Sequence, residues 1–507
     1  MATLSDDGSP VYLDDIVVRS PGLRGSVEVT PPAEPGQRGG GDTTQALADA
    51  LARADAAELL TLTLTELEST DAGGGGDRGG APGDDLEIDV PAVNRDLEQI
   101  LLVLAEDGTA SWHLAEELGD DEEPAPSRGS GTRRYRIRRP AEGRPPTAAT
   151  GADRGIGGTI GSLVLKFIVF PVVDKVIGAI TSTYVEHWEA THRPPMLRTF
   201  GPSEYTVPGV ALTDQDWRRL ATGRALLFVH GTFAQAHTGF CSFPPELMQH
   251  WNTVYGGRLF AIDHPTMSED PAENVRRLAA ALQEAPLENL SLEIDIVSHS
   301  RGGLVARAIV ENGADLGIHR LSVRTAVLVG APNAGTALAD PKNIRAWLDR
   351  LTNLAQLIPD NPVTDILEVV LSVLKQVAIA GFGGLSGLTA MDPKGGYLGG
   401  VNTGDWFASA AGARADYRAI ASNYEPKAGE RIWRAVRANA KDAVIDLVFA
   451  EAENDLVVPT AGVAAVAGFP GFRTTDSLVL TGEDAVDHSS YFGHPPVVAK
   501  LREWLPG

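Results

Sequence analysis

Cysteine is almost missing from this chain. The one residue of that type, Cys241, excludes an intramolecular disulfide framework and any cysteine-rich zinc site. Basic residues are also in short supply: 43 Lys and Arg stand against 67 Asp and Glu, for a formal charge of -24. That balance argues against an extended nucleic-acid footprint, so no nucleic-acid partner is expected, and it disfavours an anionic membrane surface. The opening residues, M-A-T-L-S-D-D-G-S-P, lack the basic start and apolar core of a signal peptide. With one cysteine and no leader, the expected setting is the cytoplasm. Long uncharged apolar runs are absent too. The greasiest stretch, Ile160 to Ile180, is interrupted by Lys166, Asp174 and Lys175 and divided by Pro171. A charge near a bilayer centre is expensive, so this stretch reads as a buried or surface-lying amphipathic helix.

What is present divides into three regions, and 507 residues are ample for them. Residues 1–145 read as a β-rich domain. Leu59 to Leu67 and Leu86 to Val90 alternate with period two, and Gln99 to Ala105, Ser111 to Leu114 and Arg133 to Arg139 look like further strands. Between them, Ala72 to Asp85 and Gly119 to Gly131 are rich in Gly, Pro and acid, as long loops are. Residues 146–200 read as a linker and helical arm, with a helix over Thr181 to Thr191 stopped by Arg193-Pro194-Pro195. Residues 1–145 carry no ligand cluster. Residues 1–200 are a candidate surface for a protein partner or for peripheral membrane contact.

The chemistry lies in residues 201–507. Leu292 to Val297 is an apolar approach to Ser298-His299-Ser300-Arg301-Gly302-Gly303, and Leu304, Val305, Ala306 and Ile309 then follow a helical repeat. Strand, tight turn and helix in that order hold a serine hydroxyl bare at a sheet edge, and Ser300 is the serine so placed. Small residues are needed at 302 and 303 for the close passage of the helix, and Ser298 stands where the Gly-x-Ser-x-Gly pattern has its first glycine. Upstream, the strand Ala225 to Val229 runs into His230-Gly231-Thr232-Phe233. Either Thr232 or Phe233, together with Arg301, would supply backbone N-H groups to a developing oxyanion. His230 reads as an organiser of that loop.

Further strands are expected at Leu259 to Asp263, Ser322 to Val329, Tyr417 to Ser422, Val444 to Ala450 and Ser477 to Leu480, with a helix over Pro271 to Gln283. Residues 340–400 hold leucine-rich helices and a glycine-rich stretch, suited to a cap or lid over an apolar pocket. Past Ala450, Asp455 is the best-placed acid, with Glu451 and Glu453 as rivals. After the last strand, His488 is the base candidate and His494 its rival, while His299 projects to the wrong side.

The order Ser300, Asp455, His488 is that of the α/β-hydrolase fold. The segments H-G-T-F at 230, S-H-S-R-G-G-L-V-A-R at 298, G-A-P-N-A-G-T at 330, N-D-L-V-V-P at 454 and D-H-S-S-Y-F at 487 resemble the motif series of bacterial lipases and esterases of that superfamily. The resemblance covers about residues 215 to 507. Where many of those lipases carry Pro-His-x-Gly, this chain has Pro332-Asn333-Ala334-Gly335. The resemblance implies an α/β fold, a mostly parallel sheet flanked by helices with a cap insertion. It also implies hydrolysis of carboxylic esters, small or lipid-like, by a Ser-His-Asp triad without metal or organic cofactor. An amidase or thioesterase on the same triad, or a non-catalytic scaffold on the same fold, stays open at this point.

Overall fold

The computed structural model describes residues 1–31, 47–69, 85–116, 131–137, 159–171, 183–340, 385–402, 415–425 and 452–506, short gaps within them apart, together with isolated turns between 343 and 374.

The residues before 172 form a unit of two antiparallel sheets. In the first, Ala2–Thr3, Leu23–Thr30, Ala57–Ser69, Leu163–Pro171, Leu97–Ala105 and Ala110–Leu114 lie side by side in that order. The second holds Val11–Leu13, Ile16–Arg19, Leu86–Pro91 and Thr132–Ile137. Leu62, Leu64, Leu101, Leu165 and Phe167 from the first sheet meet Val18, Ile88, Val90 and Tyr135 from the second in one core. This is the face-to-face burial that period-two patterning encodes. Of the strands before residue 31, three are only two to four residues long and the fourth, Leu23–Thr30, is interrupted by Gly25. The acidic Gly-rich loops expected at 72–85 and 119–131 fall, but for Asp85 and Gly131, outside the described residues.

The amphipathic helix expected over Ile160 to Ile180 is corrected for its first half. Leu163–Pro171 is an interior strand, paired antiparallel with both Ala57–Ser69 and Leu97–Ala105. Both its faces are covered: Leu165 and Phe167 enter the core between the sheets, and Ile168 and Phe170 a second core on the outer side. A strand buried on both faces has no polar alternation to betray it, and reads like a helix of the same apolarity. Lys166, whose charge argued against a membrane span, pairs with Glu58 at 2.7 Å. Residues 172–182 are not described. The helix expected after them is present as α1, Thr183–His192. No helix among the described residues is long and apolar enough to cross a membrane.

The larger sheet comprises β1 (Met196–Thr199), β2 (Ala225–Val229), β3 (Leu259–Asp263), β4 (Leu292–His299), β5 (Leu321–Val329), β6 (Asp416–Ser422) and β7 (Asp476–Leu480). Their spatial order is β1-β3-β2-β4-β5-β6-β7. All neighbours run parallel except β1, which is antiparallel to β3. This is the sheet of an α/β-hydrolase core, as the resemblance implied. The strand expected over Val444 to Ala450 lies outside the described residues.

Among the described residues, the helices that cover this sheet include α2 (Pro245–Val254), α3 (Pro271–Glu284), α4 (Gly302–Asn312) and α5 (Pro495–Trp504). Leu226 and Phe228 of β2 point to the side of Trp251 in α2 and Trp504 in α5, while Leu227 and Val229 point to Leu278 in α3 and Val305 in α4. A strand covered on both faces must be apolar throughout, as A-L-L-F-V is. The cap expected over 340–400 lies mostly outside the described residues. Its described parts include Trp347 to Asp349 and the short helices Ser386–Thr389 and Gly396–Val401.

The topology also says where to look for a site. From β2 the chain moves outward to β3, then returns to place β4 on the other side of β2. Ligands of open α/β sheets bind past the carboxyl ends of strands at such a reversal. Here those ends are the His230–Phe233 loop after β2 and Ser300 after β4.

Candidate active site

Ser300 directly follows the last position of β4 and, with Arg301, makes the turn into α4; its φ is +53°. A left-handed conformation costs a non-glycine residue roughly 1–2 kcal/mol, so the surroundings must impose it. They do so on both sides. The Ser300 amide donates to the carbonyl of Val329 at 2.9 Å. Gly302 then passes so near β2 that a Cβ would lie 2.3 Å from the Val229 carbonyl oxygen and 2.5 Å from that of His230. Ser298, in the place of the motif's first glycine, donates its buried hydroxyl to the carbonyl of Val327 at 3.0 Å. The substitution is therefore accommodated by β5.

Asp455 and His488, 33 residues apart, are joined directly. Nδ1 of His488 lies 2.7 Å from Oδ2 of Asp455, and the His488 amide donates to the Asp455 carbonyl at 3.0 Å. Oδ1 of Asp455 accepts the amides of Val457 (3.0 Å) and Val458 (2.8 Å), and Oδ2 also accepts the phenol of Tyr491 at 2.8 Å. Burial alone would raise this carboxyl. The His488 imidazole and the ring of donors outweigh it, and the carboxyl is held below its ordinary value. An ionised carboxylate only accepts, so the His488 proton sits on Nδ1 and leaves Nε2 as the bare lone pair. Nε2 is buried and makes no hydrogen bond among the described residues.

The structure brings the serine and the imidazole to one edge without bonding them. The carbonyl that holds Ser300 belongs to Val329, and the next residue, Gly330, lies under His488, whose Cε1 would be 3.2 Å from a Cβ there. Ser300 is 7 % exposed, and its hydroxyl has no hydrogen bond among the described residues. His299, the residue before Ser300, reaches the His488 loop. Its Nε2 donates to the His488 carbonyl at 3.0 Å, and its ring lies 4.9 Å from that of His488. His299 thus supports the His488 loop instead of facing Ser300.

The loop after β2 is equally constrained. His230 is fully buried, with Nδ1 3.0 Å from the Gly231 carbonyl and Nε2 accepting the His264 amide at 3.2 Å. Burial, against the pull of Asp263, lowers its pKa to about 4, so the ring is neutral and organises the loop. Phe233 has a φ of +62°. Its amide donates to the Thr266 hydroxyl at 3.2 Å, so of the three expected oxyanion donors this one is already spent. The amides of Thr232 and Arg301 make no hydrogen bond among the described residues.

The Arg301 side chain was invisible as a feature in the sequence. It is fully buried, with Nε donating to the Gly387 carbonyl (2.8 Å), Nη1 to Asn274 Oδ1 (3.0 Å) and Nη2 to the Glu269 carbonyl. Burial lowers the guanidinium to about 10, with Glu189 and Glu269 among the groups opposing it, so it stays charged at neutral pH. It fastens the Ser300 turn to the segment 386–390. Tyr491 stands in the D-H-S-S-Y-F motif, but nothing in the pattern marks its phenol as a partner of Asp455. Of the rivals, Glu453 is exposed and Glu451 is not described. His494 precedes α5 as its N-cap residue. No group of metal-ligating side chains occurs among the described residues.

Residues 192–506 match the family model described as a domain of unknown function, DUF7379. No curated protein matches the chain. Among solved structures, the chain is similar to the mature lipase BlEst2 of Bacillus licheniformis, with 18 % identity, 55 % of this chain and 91 % of that one covered, and a TM-score of 0.32. Lipase 1 of Pelosinus fermentans gives 15 %, 55 %, 98 % and 0.34 for the same quantities. The phospholipase PlaB of Legionella pneumophila gives 13 %, 55 %, 59 % and 0.32.

Proposed function

The chain belongs to the DUF7379 family, and we propose that it is a serine hydrolase that cleaves carboxylic esters, with Ser300 as nucleophile, His488 as base and Asp455 as the acid that orients it. The observation that carries this reading is the Asp455–His488 pair at 2.7 Å with Nε2 left without a hydrogen bond among the described residues, together with a serine held in a left-handed turn at the same sheet edge. Strained residues of this kind cluster at active sites.

In the proposed reaction Ser300 Oγ attacks the ester carbonyl as His488 Nε2 takes its proton. The contact between the two is made when substrate binds, since such bonds are often long in the free enzyme. The carbonyl oxygen becomes an oxyanion, held by the unspent amides of Thr232 and Arg301. Collapse breaks the bond to the alcohol, which leaves with the proton from His488. Water, activated by the same imidazole, then adds to the acyl-enzyme, and its collapse releases the carboxylic acid and restores Ser300. Asp455 holds the tautomer and stabilises the imidazolium. The apolar company of the oxyanion loop, with Met391 sulfur 3.8 Å from the Thr232 hydroxyl and Trp347 against Phe233, supports an apolar acyl chain over a polar one.

The test is fluorophosphonate labelling of wild type beside Ser300→Ala, followed by p-nitrophenyl esters from acetate to palmitate, each with and without detergent. We expect labelling that the substitution abolishes, and turnover that it lowers by roughly 10⁴-fold or more. A folded wild type that neither labels nor turns over, with detergent present, would refute the reading.

A further inference from the structure

We infer that α1, which lies outside the larger sheet, is a working part of the site: Glu189 and Arg193 are positioning residues that set the oxyanion loop and so aim the Thr232 amide. The inference rests on the hydrolase reading above.

Glu189 is 2 % exposed. Its Oε1 accepts the amides of Thr266 (2.6 Å) and Met267 (3.1 Å) and the Thr266 hydroxyl (3.4 Å). Its Oε2 accepts the amide of Ser268 (3.0 Å) and the Ser268 hydroxyl (2.5 Å). A carboxylate is an acceptor only, and here every donor comes from one three-residue turn after β3. Such a buried charge is tolerated because its lone pairs are filled, and in return it freezes the turn.

That turn supports the oxyanion loop. While the Thr266 hydroxyl donates to Glu189, it accepts the amide of Phe233. The other polar group of Phe233 is held by the arm as well: Arg193 Nη1 donates to the Phe233 carbonyl at 2.6 Å. The Arg193 guanidinium is itself laid over the Trp188 ring of α1, 5.5 Å from its centre. Thus both the N-H and the C=O of Phe233 are fixed from this arm, one from Glu189 of α1 through Thr266 and one directly from Arg193, the residue after α1. A bulky residue at φ +62° keeps that conformation only when its surroundings over-determine it. Thr232 is its chain neighbour, so the same two bonds fix where the free Thr232 amide points. An oxyanion donor contributes in the transition state and far less to substrate binding, so the arm should act on kcat and not on KM.

The experiment uses the full chain. Wild type, Glu189→Gln, Arg193→Met and Arg193→Lys are compared for kcat and KM on one p-nitrophenyl ester, for fluorophosphonate labelling rate, and for folding by circular dichroism and thermal melting. Glu189→Gln turns an NH₂ toward amide donors, Arg193→Met removes the donor to Phe233, and Arg193→Lys keeps one. We expect folded Glu189→Gln and Arg193→Met to lose about 10- to 100-fold in kcat with KM within about two-fold, and Arg193→Lys to recover most of the loss. If Glu189→Gln does not fold, Arg193→Met and Arg193→Lys decide. Folded variants with wild-type kcat, or a loss confined to KM, overturn the positioning role and leave the hydrolase reading intact. A wild type that shows no Ser300-dependent labelling overturns both.

Discussion

The phenol of Tyr491 and the imidazole of His488 share one oxygen, Oδ2 of Asp455, at 2.8 and 2.7 Å. Tyr491→Phe would leave that oxygen one donor short. A bond to a charged group contributes about 1.5–3 kcal/mol, and we expect a stability loss of that order at pH 7 with turnover reduced roughly ten-fold. The sign with pH follows from the depressed carboxyl. Its stabilisation is present above the unfolded value near 4 and is lost as pH falls through the folded value, so the gap between wild type and variant should narrow in acid. Urea melts at pH 7 and below pH 4 check this; a gap that widens in acid would contradict it.

Ser300 offers a test of stored strain. Ser300→Ala keeps a Cβ at φ +53°, whereas Ser300→Gly removes it. Both variants should be unlabelled, yet the glycine variant should be more stable than the alanine variant by about 1 kcal/mol. Equal melting curves would mean that the turn is not strained.

The close passage of Gly302 makes a sharper prediction. An added Cβ meets two backbone oxygens of the β2 end, which no side-chain rotation relieves. Gly302→Ala should cost more than about 3 kcal/mol or prevent accumulation of soluble protein. Gly396, also the first residue of a helix, has nothing within 4 Å of its Cβ position. Gly396→Ala should be neutral or stabilising by up to about 1 kcal/mol. Thermal melts of the pair decide it, and similar losses at both positions would count against this account.

The stacked pair His230 and His264, 4.1 Å apart, predicts an acid-sensitive window. Burial lowers His230 to about 4, and burial with His230 beside it holds His264 well below its ordinary range. Both are neutral when folded, whereas the unfolded chain takes up protons below about pH 6.5. Stability is therefore full above that pH and declines toward pH 4, by about 1.4 kcal/mol per pH unit for each such histidine. Neither ring nitrogen of His264 has a hydrogen bond among the described residues. His264→Phe should flatten the decline while changing stability at pH 7.5 by less than about 1.5 kcal/mol. Urea titrations at pH 7.5, 5.5 and 4.5 measure the slope, and an unchanged slope would rule the idea out.

Legibility in the sequence followed the range of the interactions. The Ser300 turn is local, with strand, serine, glycines and helix contiguous, and it can be read without knowing any partner. His488 could be picked out because it follows β7, the last strand of the sheet, and Asp455 because an apolar run precedes it in the sequence. Leu163–Pro171 was misread because it is covered on both faces, which erases the alternation that reveals Ala57–Ser69. Glu189 gave no signal at all. Its partners lie 77 to 79 residues away, and a single glutamate on a polar helix looks like a solvated charge. Thr266 and the Arg301 side chain were hidden for the same reason.

Leu163–Pro171 has a consequence for the order in which this chain takes shape. It is the last strand of its sheet along the chain but lies in the middle, between Ala57–Ser69 and Leu97–Ala105. As the chain leaves the ribosome, those two strands stand with their facing edges unpaired until Leu163–Pro171 has been made. An unpaired edge is a template for other chains, so a nascent or truncated product ending before residue 163 should be prone to self-association. Closure of the gap comes just before α1 is made, so the arm that carries Glu189 is anchored to a finished sheet by the time β2 and β3 need it.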